Sequence, residues 1–233
     1  MVRLALRYAV PIIYAPPLSV GGDPNGGTGC IVELGARSFF ATSSHIYEAY
    51  EKRVRDGERL NWQIGALPPL DPIPRVVFKD VGRDVVFLEL FGSEARTACG
   101  DYSWAYSPAT AWPPREPQIG ELLLISGYPK VLRMVEARSI KAGPCSAMFR
   151  VTTGVNGSGC FASQVERNDL VSFDDQELPP PETDFGGWSG SPVFLVENLV
   201  YTLVGIVTEY SASSNVLFIS SLSGIEMTRN QCL

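Results

Sequence analysis

Ten short runs rich in Val, Ile, Leu, Phe and Tyr are spread along the chain, with Gly, Pro, Asn or Asp clusters between them, and this pattern narrows the available folds more than any other feature. They are Arg7 to Tyr14, Cys30 to Leu34, Ser38 to Thr42, Arg75 to Phe78, Asp84 to Leu90, Glu121 to Ser126, Met148 to Thr152, Pro192 to Val196, Thr202 to Val207 and Val216 to Ile219. The 22 glycines and 18 prolines favour many short strands joined by turns over long helices. One stretch reads as helix, His45 to Arg55, with Ser44 placed to cap it and Glu48 spaced to close a capping box. The expected fold is all-β, a barrel or a sandwich.

A chain of 233 residues can bury a sizeable core as one domain or as a two-lobed unit. Between Asp101 and Gln118 the composition shifts: Pro108, Pro113, Pro114 and Pro117 stand among Tyr102, Trp104, Tyr106 and Trp112. This stretch reads as an irregular crossing between two lobes, its aromatics packed on the surface beneath. The expected division is an N-terminal lobe over 1–105, the crossing over 106–118 and a C-terminal lobe over 119–233. A second long loop, Asp169 to Gly187, is acidic and carries Pro179, Pro180 and Pro181.

Charge and cysteine usage exclude several classes. A net charge of −6 and no Lys/Arg-rich run argue against a nucleic-acid partner. No apolar run is long enough to span a bilayer, and Pro11, Pro16 and Pro17 interrupt the N-terminal region, so a cytoplasmic chain with no membrane partner is expected. The five cysteines, Cys30, Cys99, Cys145, Cys160 and Cys232, form no Cys-x-x-Cys pair, and there is one histidine. No metal site and no cofactor are expected; free, mostly buried thiols are.

That single histidine constrains the chemistry. A mechanism that uses imidazole as general base must use His45. The α/β-hydrolase order, Ser then acid then His, has no room before it, and an Asp-His-Ser order would depend on Asp23 in a Gly/Pro/Asn turn. The order His, Asp, Ser remains. Asp84 opens the apolar run Asp84-Val85-Val86-Phe87-Leu88-Glu89-Leu90, where a carboxylate beside His45 would fix its tautomer. Ser189 lies in Gly186-Gly187-Trp188-Ser189-Gly190-Ser191-Pro192, whose glycines let backbone amides turn inward. The amides of Gly187 and Ser189 could hold an oxyanion.

These segments together resemble the chymotrypsin/trypsin-like serine peptidase family. The family's Thr-Ala-Ala-His is similar to Ala41-Thr42-Ser43-Ser44-His45, its Asp-Ile-Ala-Leu-Leu to Asp84-Val85-Val86-Phe87-Leu88, and its Gly-Asp-Ser-Gly-Gly-Pro to Gly187-Trp188-Ser189-Gly190-Ser191-Pro192. Gly27-Thr28-Gly29-Cys30-Ile31-Val32, Ser126-Gly127-Tyr128-Pro129 and Gly205-Ile206-Val207-Thr208 are supporting matches. The resemblance covers roughly Ala9 to Ile219 in order. It implies two six-stranded antiparallel β-barrels with the active site between them. It also implies a serine endopeptidase acting on protein or peptide through a Ser189-His45-Asp84 triad and an acyl-enzyme.

The same resemblance implies that Thr208 bonds the buried aspartate, and that Thr208, Glu209 and Tyr210 form the edge on which substrate pairs. Thr183, Asp184, Tyr210 and Asn215 would line the specificity pocket. Trp188 replaces the family's Asp, the Ile-Val-Gly-Gly start is missing and Ile46 follows the histidine, so the set is more similar to bacterial intracellular members than to secreted ones. Two further readings stay open: a catalytically silent module that binds peptide in the cleft, and a peptidase latent until a regulatory partner protein acts on the Asp169 to Gly187 loop.

Overall fold

The computed structural model of the chain describes residues 5–17, 23–109, 112–135, 140–166, 169–172 and 187–227. In chain order the first half contributes β1 (Val10–Ala15), β2 (Asn25–Leu34), β3 (Arg37–Thr42), helix α1 (Ser44–Arg55), β4 (Asn61–Ile64), β5 (Val76–Asp80), β6 (Val85–Leu90) and helix α2 (Glu94–Cys99). Its strands form one antiparallel sheet in the order β4-β1-β2-β3-β6-β5. The second half contributes β7 (Leu122–Gly127), β8 (Arg133–Val135), β9 (Ile140–Ala142), β10 (Cys145–Arg150), β11 (Cys160–Gln164), β12 (Leu170–Ser172), β13 (Pro192–Glu197), β14 (Val200–Ser211) and β15 (Val216–Ser221).

The second sheet runs β11-β15-β14-β13-β7-β10-β12, with β8 and β9 paired as a separate ribbon. Six of its strands answer the expected six, and the short β12 adds a seventh on the edge of β10. The amides of Thr152 and Thr153 donate to the Ala162 carbonyl at 3.1 and 3.2 Å, which draws the end of β10 onto β11 and curls the sheet.

Alternation in the sequence explains which faces turn inward. Along β1, Val10, Ile12 and Tyr14 are buried while their neighbours are half-exposed, as period-2 geometry requires. The first lobe's core gathers these side chains with Phe40, Trp62, Leu88 and, from α1, Ile46, Tyr47 and Tyr50. Tyr14 stacks on Trp62 with ring centroids 5.7 Å apart. The second lobe has its own core around Leu123, Ile125, Phe149, Phe161, Trp188, Val193 and Ile219. A third apolar cluster takes Val32, Phe39 and Phe87 from the first sheet and Leu124, Phe194 and Ile206 from the second. Burial of that seam removes apolar area from both lobes at once and fixes how they face each other.

The crossing is tied to both lobes through Tyr106. Its amide donates to the Ile31 carbonyl at 2.7 Å, while its hydroxyl accepts from the Leu203 amide at 3.1 Å. The Trp112 indole donates to the Ile225 carbonyl at 2.9 Å. The expectation of packed aromatics holds for this pair and fails for Tyr102 and Trp104, which are 80% and 47% exposed. Two ion pairs add to these contacts: Arg75 with Glu94, at 3.0 Å from Nη2 to Oε1, and Arg115 with Glu121, at 2.7 Å from Nη2 to Oε1.

Each guanidinium holds its carboxyl below the usual glutamate range, mainly through the side-chain hydrogen bond. A depressed folded value contributes stability that is present above the unfolded value, about 4.3 for glutamate. That contribution is lost as pH falls through the lower folded value. Thermal unfolding followed at descending pH should therefore show a falling midpoint in the acid range, with a shallower fall in Glu94→Gln. Equal slopes in the two proteins would remove this pair from the cause.

Candidate active site

His45 is the second residue of α1, and the geometry around it is set by a carboxylate from another strand. The 80–84 turn between β5 and β6 ends at Asp84, whose φ of 55° lies in the left-handed region that aspartate tolerates better than most residues. From there Asp84 Oδ1 accepts the Ser44 hydroxyl at 2.9 Å and the backbone N–H of His45 at 2.8 Å. Oδ2 lies 2.7 Å from the imidazole Nδ1. One carboxylate thus caps an otherwise unpaired amide of the first helical turn, where negative charge is also favoured, and holds the ring. Because the carboxylate can only accept, the neutral ring carries its proton on Nδ1 and its lone pair on Nε2.

The expected capping box does not form. The N-cap is Ser43, with extended backbone and no side-chain cap bond, and its hydroxyl reaches across the seam to the Val207 carbonyl at 2.8 Å. Ser44 serves Asp84 instead of the helix.

Ser189 follows the buried Trp188 in the turn that leads into β13. Its hydroxyl donates to the Thr208 carbonyl at 3.1 Å, and it shares the lining of two cavities with His45. One, of about 470 Å³, is lined by Asp84, Arg83, Cys160, Thr208, Glu209 and Tyr210 as well. The other, of about 170 Å³, adds Tyr14, Asn25, Gly26, Ile46, Ala49 and Gly187. A larger cavity of about 710 Å³, between β1, β4 and the 98–103 segment, includes none of His45, Asp84 and Ser189. All three line the cavity of about 470 Å³, and His45 and Ser189 also line the one of about 170 Å³.

The segment around Ser189 approaches the first lobe closely enough to demand glycine. Gly190 has φ +86°, and a Cβ there would sit 1.8 Å from the Thr28 carbonyl oxygen. Gly187 has φ +97°, with Arg133 Nη2 and the Lys130 amide each 2.7 Å from where a Cβ would be. Among the described residues, the N–H groups of Gly187 and Ser189 have no acceptor. Trp188 is fully buried in the second lobe's core, where it anchors the turn by packing.

The other expected site residues divide. Thr208, Glu209 and Tyr210 line the cavity with His45. The Thr208 hydroxyl, however, donates to the Phe218 carbonyl at 3.1 Å across the β14–β15 ladder, so it does not bond Asp84; Ser44 has that contact. Asn215 sits in the β14–β15 turn with φ 54° and lines none of the cleft cavities; its side-chain oxygen accepts the Tyr210 hydroxyl at 2.9 Å, so it acts on Tyr210. Thr183 and Asp184 lie outside the described residues.

Cys160 is not a buried thiol as expected. It is half-exposed in the cleft, because Phe161 takes the inward position of β11. The buried thiols are Cys30 and Cys145; burial pushes Cys145 up to about 12, and it moves Cys30 in the same direction. Cys232 lies outside the described residues. Two residues went unpredicted: Arg83, beside the cleft, and Thr28, whose neighbours Gly27 and Gly29 were the visible signal of a close approach.

No family model matches the chain, and no curated protein does. Among solved structures, the chain is similar to a thermostable serine protease, AL20, from an extremophilic microorganism: 15% identity over 93% of this chain and 92% of that one, TM-score 0.51. It is also similar to a catalytically inactive tobacco etch virus protease complexed with substrate: 13% identity over 93% of this chain and 78% of that one, TM-score 0.47. The first likeness establishes the fold, the all-β, two-barrel chymotrypsin-like arrangement. Among the described residues no helix is long and apolar enough to cross a membrane.

Proposed function

We propose that the chain is a serine endopeptidase that cuts protein or peptide substrates with Ser189 as nucleophile, His45 as proton carrier and Asp84 as orienter. The observation that carries this reading is the 2.7 Å contact between His45 Nδ1 and Asp84 Oδ2, which leaves Nε2 as a base in a cleft shared with Ser189. In this reading the Ser189 hydroxyl leaves the Thr208 carbonyl, on which it rests at 3.1 Å, for that nitrogen when substrate binds. His45 then takes the hydroxyl proton as Oγ bonds the scissile carbonyl carbon, and the amides of Gly187 and Ser189 receive the oxyanion. As the C–N bond breaks, His45 gives the proton to the leaving amine; water repeats the sequence on the acyl-enzyme.

Substrate backbone has a place to pair. Among the described residues the β13–β14 ladder ends at Pro192 opposite Ile206, and from Glu209 onward β14 pairs only with β15, which leaves one edge for β-augmentation. A fluorophosphonate probe tests the nucleophile: it should label Ser189, identified by peptide mass spectrometry, in the same preparation that cuts a peptide library. Cleavage without labelling of that residue would overturn the assignment, and Ser189→Ala is the control.

Gly187→Ala is expected to lower turnover about 10- to 100-fold, since left-handed strain of order 1–3 kcal/mol falls on an oxyanion amide. Steady-state kinetics on active-site-titrated protein would check it.

The hydroxyl resting on the Thr208 carbonyl favours a second reading, in which the module holds peptide and cuts only after a partner reorganises the 187–189 turn. Full turnover of short peptides by the isolated chain would dismiss it.

A further inference from the structure

The geometry points to Thr28 as a positioning residue that holds the oxyanion amides in place from the opposite lobe, an inference that rests on the peptidase reading above. Thr28 lies on β2 and is fully buried. Its N–H donates to the Ser189 carbonyl at 3.0 Å. Its hydroxyl donates to the Gly187 carbonyl at 2.9 Å and accepts the Tyr128 N–H at 2.9 Å. Its own carbonyl accepts the Thr42 hydroxyl at 2.7 Å, which ties it to β3.

These contacts bracket the Ser189 amide and fix the carbonyl side of Gly187. The Ser189 N–H belongs to the peptide between residues 188 and 189. The peptide units on either side carry the Gly187 and Ser189 carbonyls, and Thr28 holds both. With the flanking units fixed and Trp188 buried between them, the middle unit cannot rotate freely. Gly187 is the weak point of the turn, because glycine has the widest backbone freedom and no side chain to anchor it. The Thr28 hydroxyl supplies that anchor. A hydroxyl has one proton to donate, and here it goes to Gly187; the lone pair goes to Tyr128, which sets the adjoining loop against the same turn. The β-branched side chain restricts χ1 and keeps the hydroxyl aimed.

An oxyanion donor acts on charge that develops only in the transition state, so loosening it should reduce kcat and leave KM nearly alone. Removal of one donor outright costs about 10²–10³ in kcat. Misplacing donors that are still present should cost less, roughly 10- to 100-fold in Thr28→Val. Thr28→Ser keeps the hydroxyl and should recover most of the rate. The Thr28→Val change should also speed hydrogen exchange at the Gly190 and Ser191 amides, which are bonded to the Val207 and Trp188 carbonyls, and Thr28→Ser should slow it again.

The experiment is kcat and KM on active-site-titrated wild type, Thr28→Val and Thr28→Ser, with exchange measured on the same samples. A fall in kcat at constant KM, faster exchange and rescue by serine support the clamp. Wild-type rate and exchange in Thr28→Val would overturn it, as would a Thr28→Ser variant as slow as the valine; if Thr28→Val does not fold, a Thr28→Ser kcat about 10-fold or more below wild type would overturn it. A wild type that neither cuts peptides nor reacts with fluorophosphonate would overturn the peptidase reading; the exchange result would still judge the clamp separately.

Discussion

Asp84→Asn is expected to lower turnover about 10⁴-fold while leaving the fold intact, the magnitude that follows when a triad imidazole is held in the wrong tautomer. The direction follows from hydrogen-bond bookkeeping at one carboxylate. Oδ1 receives two donors, the Ser44 hydroxyl and the His45 N–H, so an asparagine must keep its carbonyl oxygen there. Its NH₂ group is then forced to face Nδ1, where the carboxylate had been an acceptor. The ring answers by accepting at Nδ1 and carrying its proton on Nε2, so it has no lone pair for Ser189. Stability should change little: asparagine caps helices about as well as aspartate, and the lost charge at the helix start is worth about 0.3–1 kcal/mol. If Asp84 were only a cap, the asparagine variant would turn over nearly as fast as wild type. Kinetics beside a thermal melt separate these cases, and a near-normal rate would sink the orienting role.

The second large effect is structural. Trp188→Ala should destabilise the protein by about 3–5 kcal/mol, the range for emptying a well-packed site of a large aromatic side chain. Trp188 has no exposed surface and packs in the second lobe's core with Leu123, Ile125 and Val193. Its neighbours in sequence are the two residues proposed to supply the oxyanion amides. Activity per folded molecule should therefore fall as well, and Trp188→Phe should restore much of both. Trp188→Asp should be no better than alanine, because it would place a carboxylate in an apolar cluster. Urea unfolding at fixed temperature measures the first effect; an unchanged midpoint in Trp188→Ala would show that the indole does not anchor the turn.

The strands that could be read directly were those whose composition and length exceeded the noise of local preference. Each of the ten apolar runs corresponds to a strand, with ends shifted by a few residues. β4 escaped because four residues, Asn-Trp-Gln-Ile, are too few to show a period, and β11 because Cys160, Ala162 and Ser163 are small and weakly β-forming. α2 escaped for its six-residue length. The helical run at His45 was visible, but its cap was not, because Asp84 competes for the same groups from 39 residues away. Thr208 was misread for a related reason: within a strand its hydroxyl found a cross-strand carbonyl before any carboxylate.

Local chemistry acts on near neighbours, so the chain's own residues could set how much strand it forms, where it turns and in what order its one imidazole, a carboxylate and a serine appear. The partner that a side chain finally bonds is drawn from residues brought close only by burial of the two cores and the seam between them. Thr28 meets Gly187 across 159 positions, and no spacing rule reaches that far. Folding also chose the carbonyl on which the Ser189 hydroxyl rests and the serine that supports Asp84. Those choices depend on differences of about an ångström between packed surfaces, which composition and periodicity do not encode.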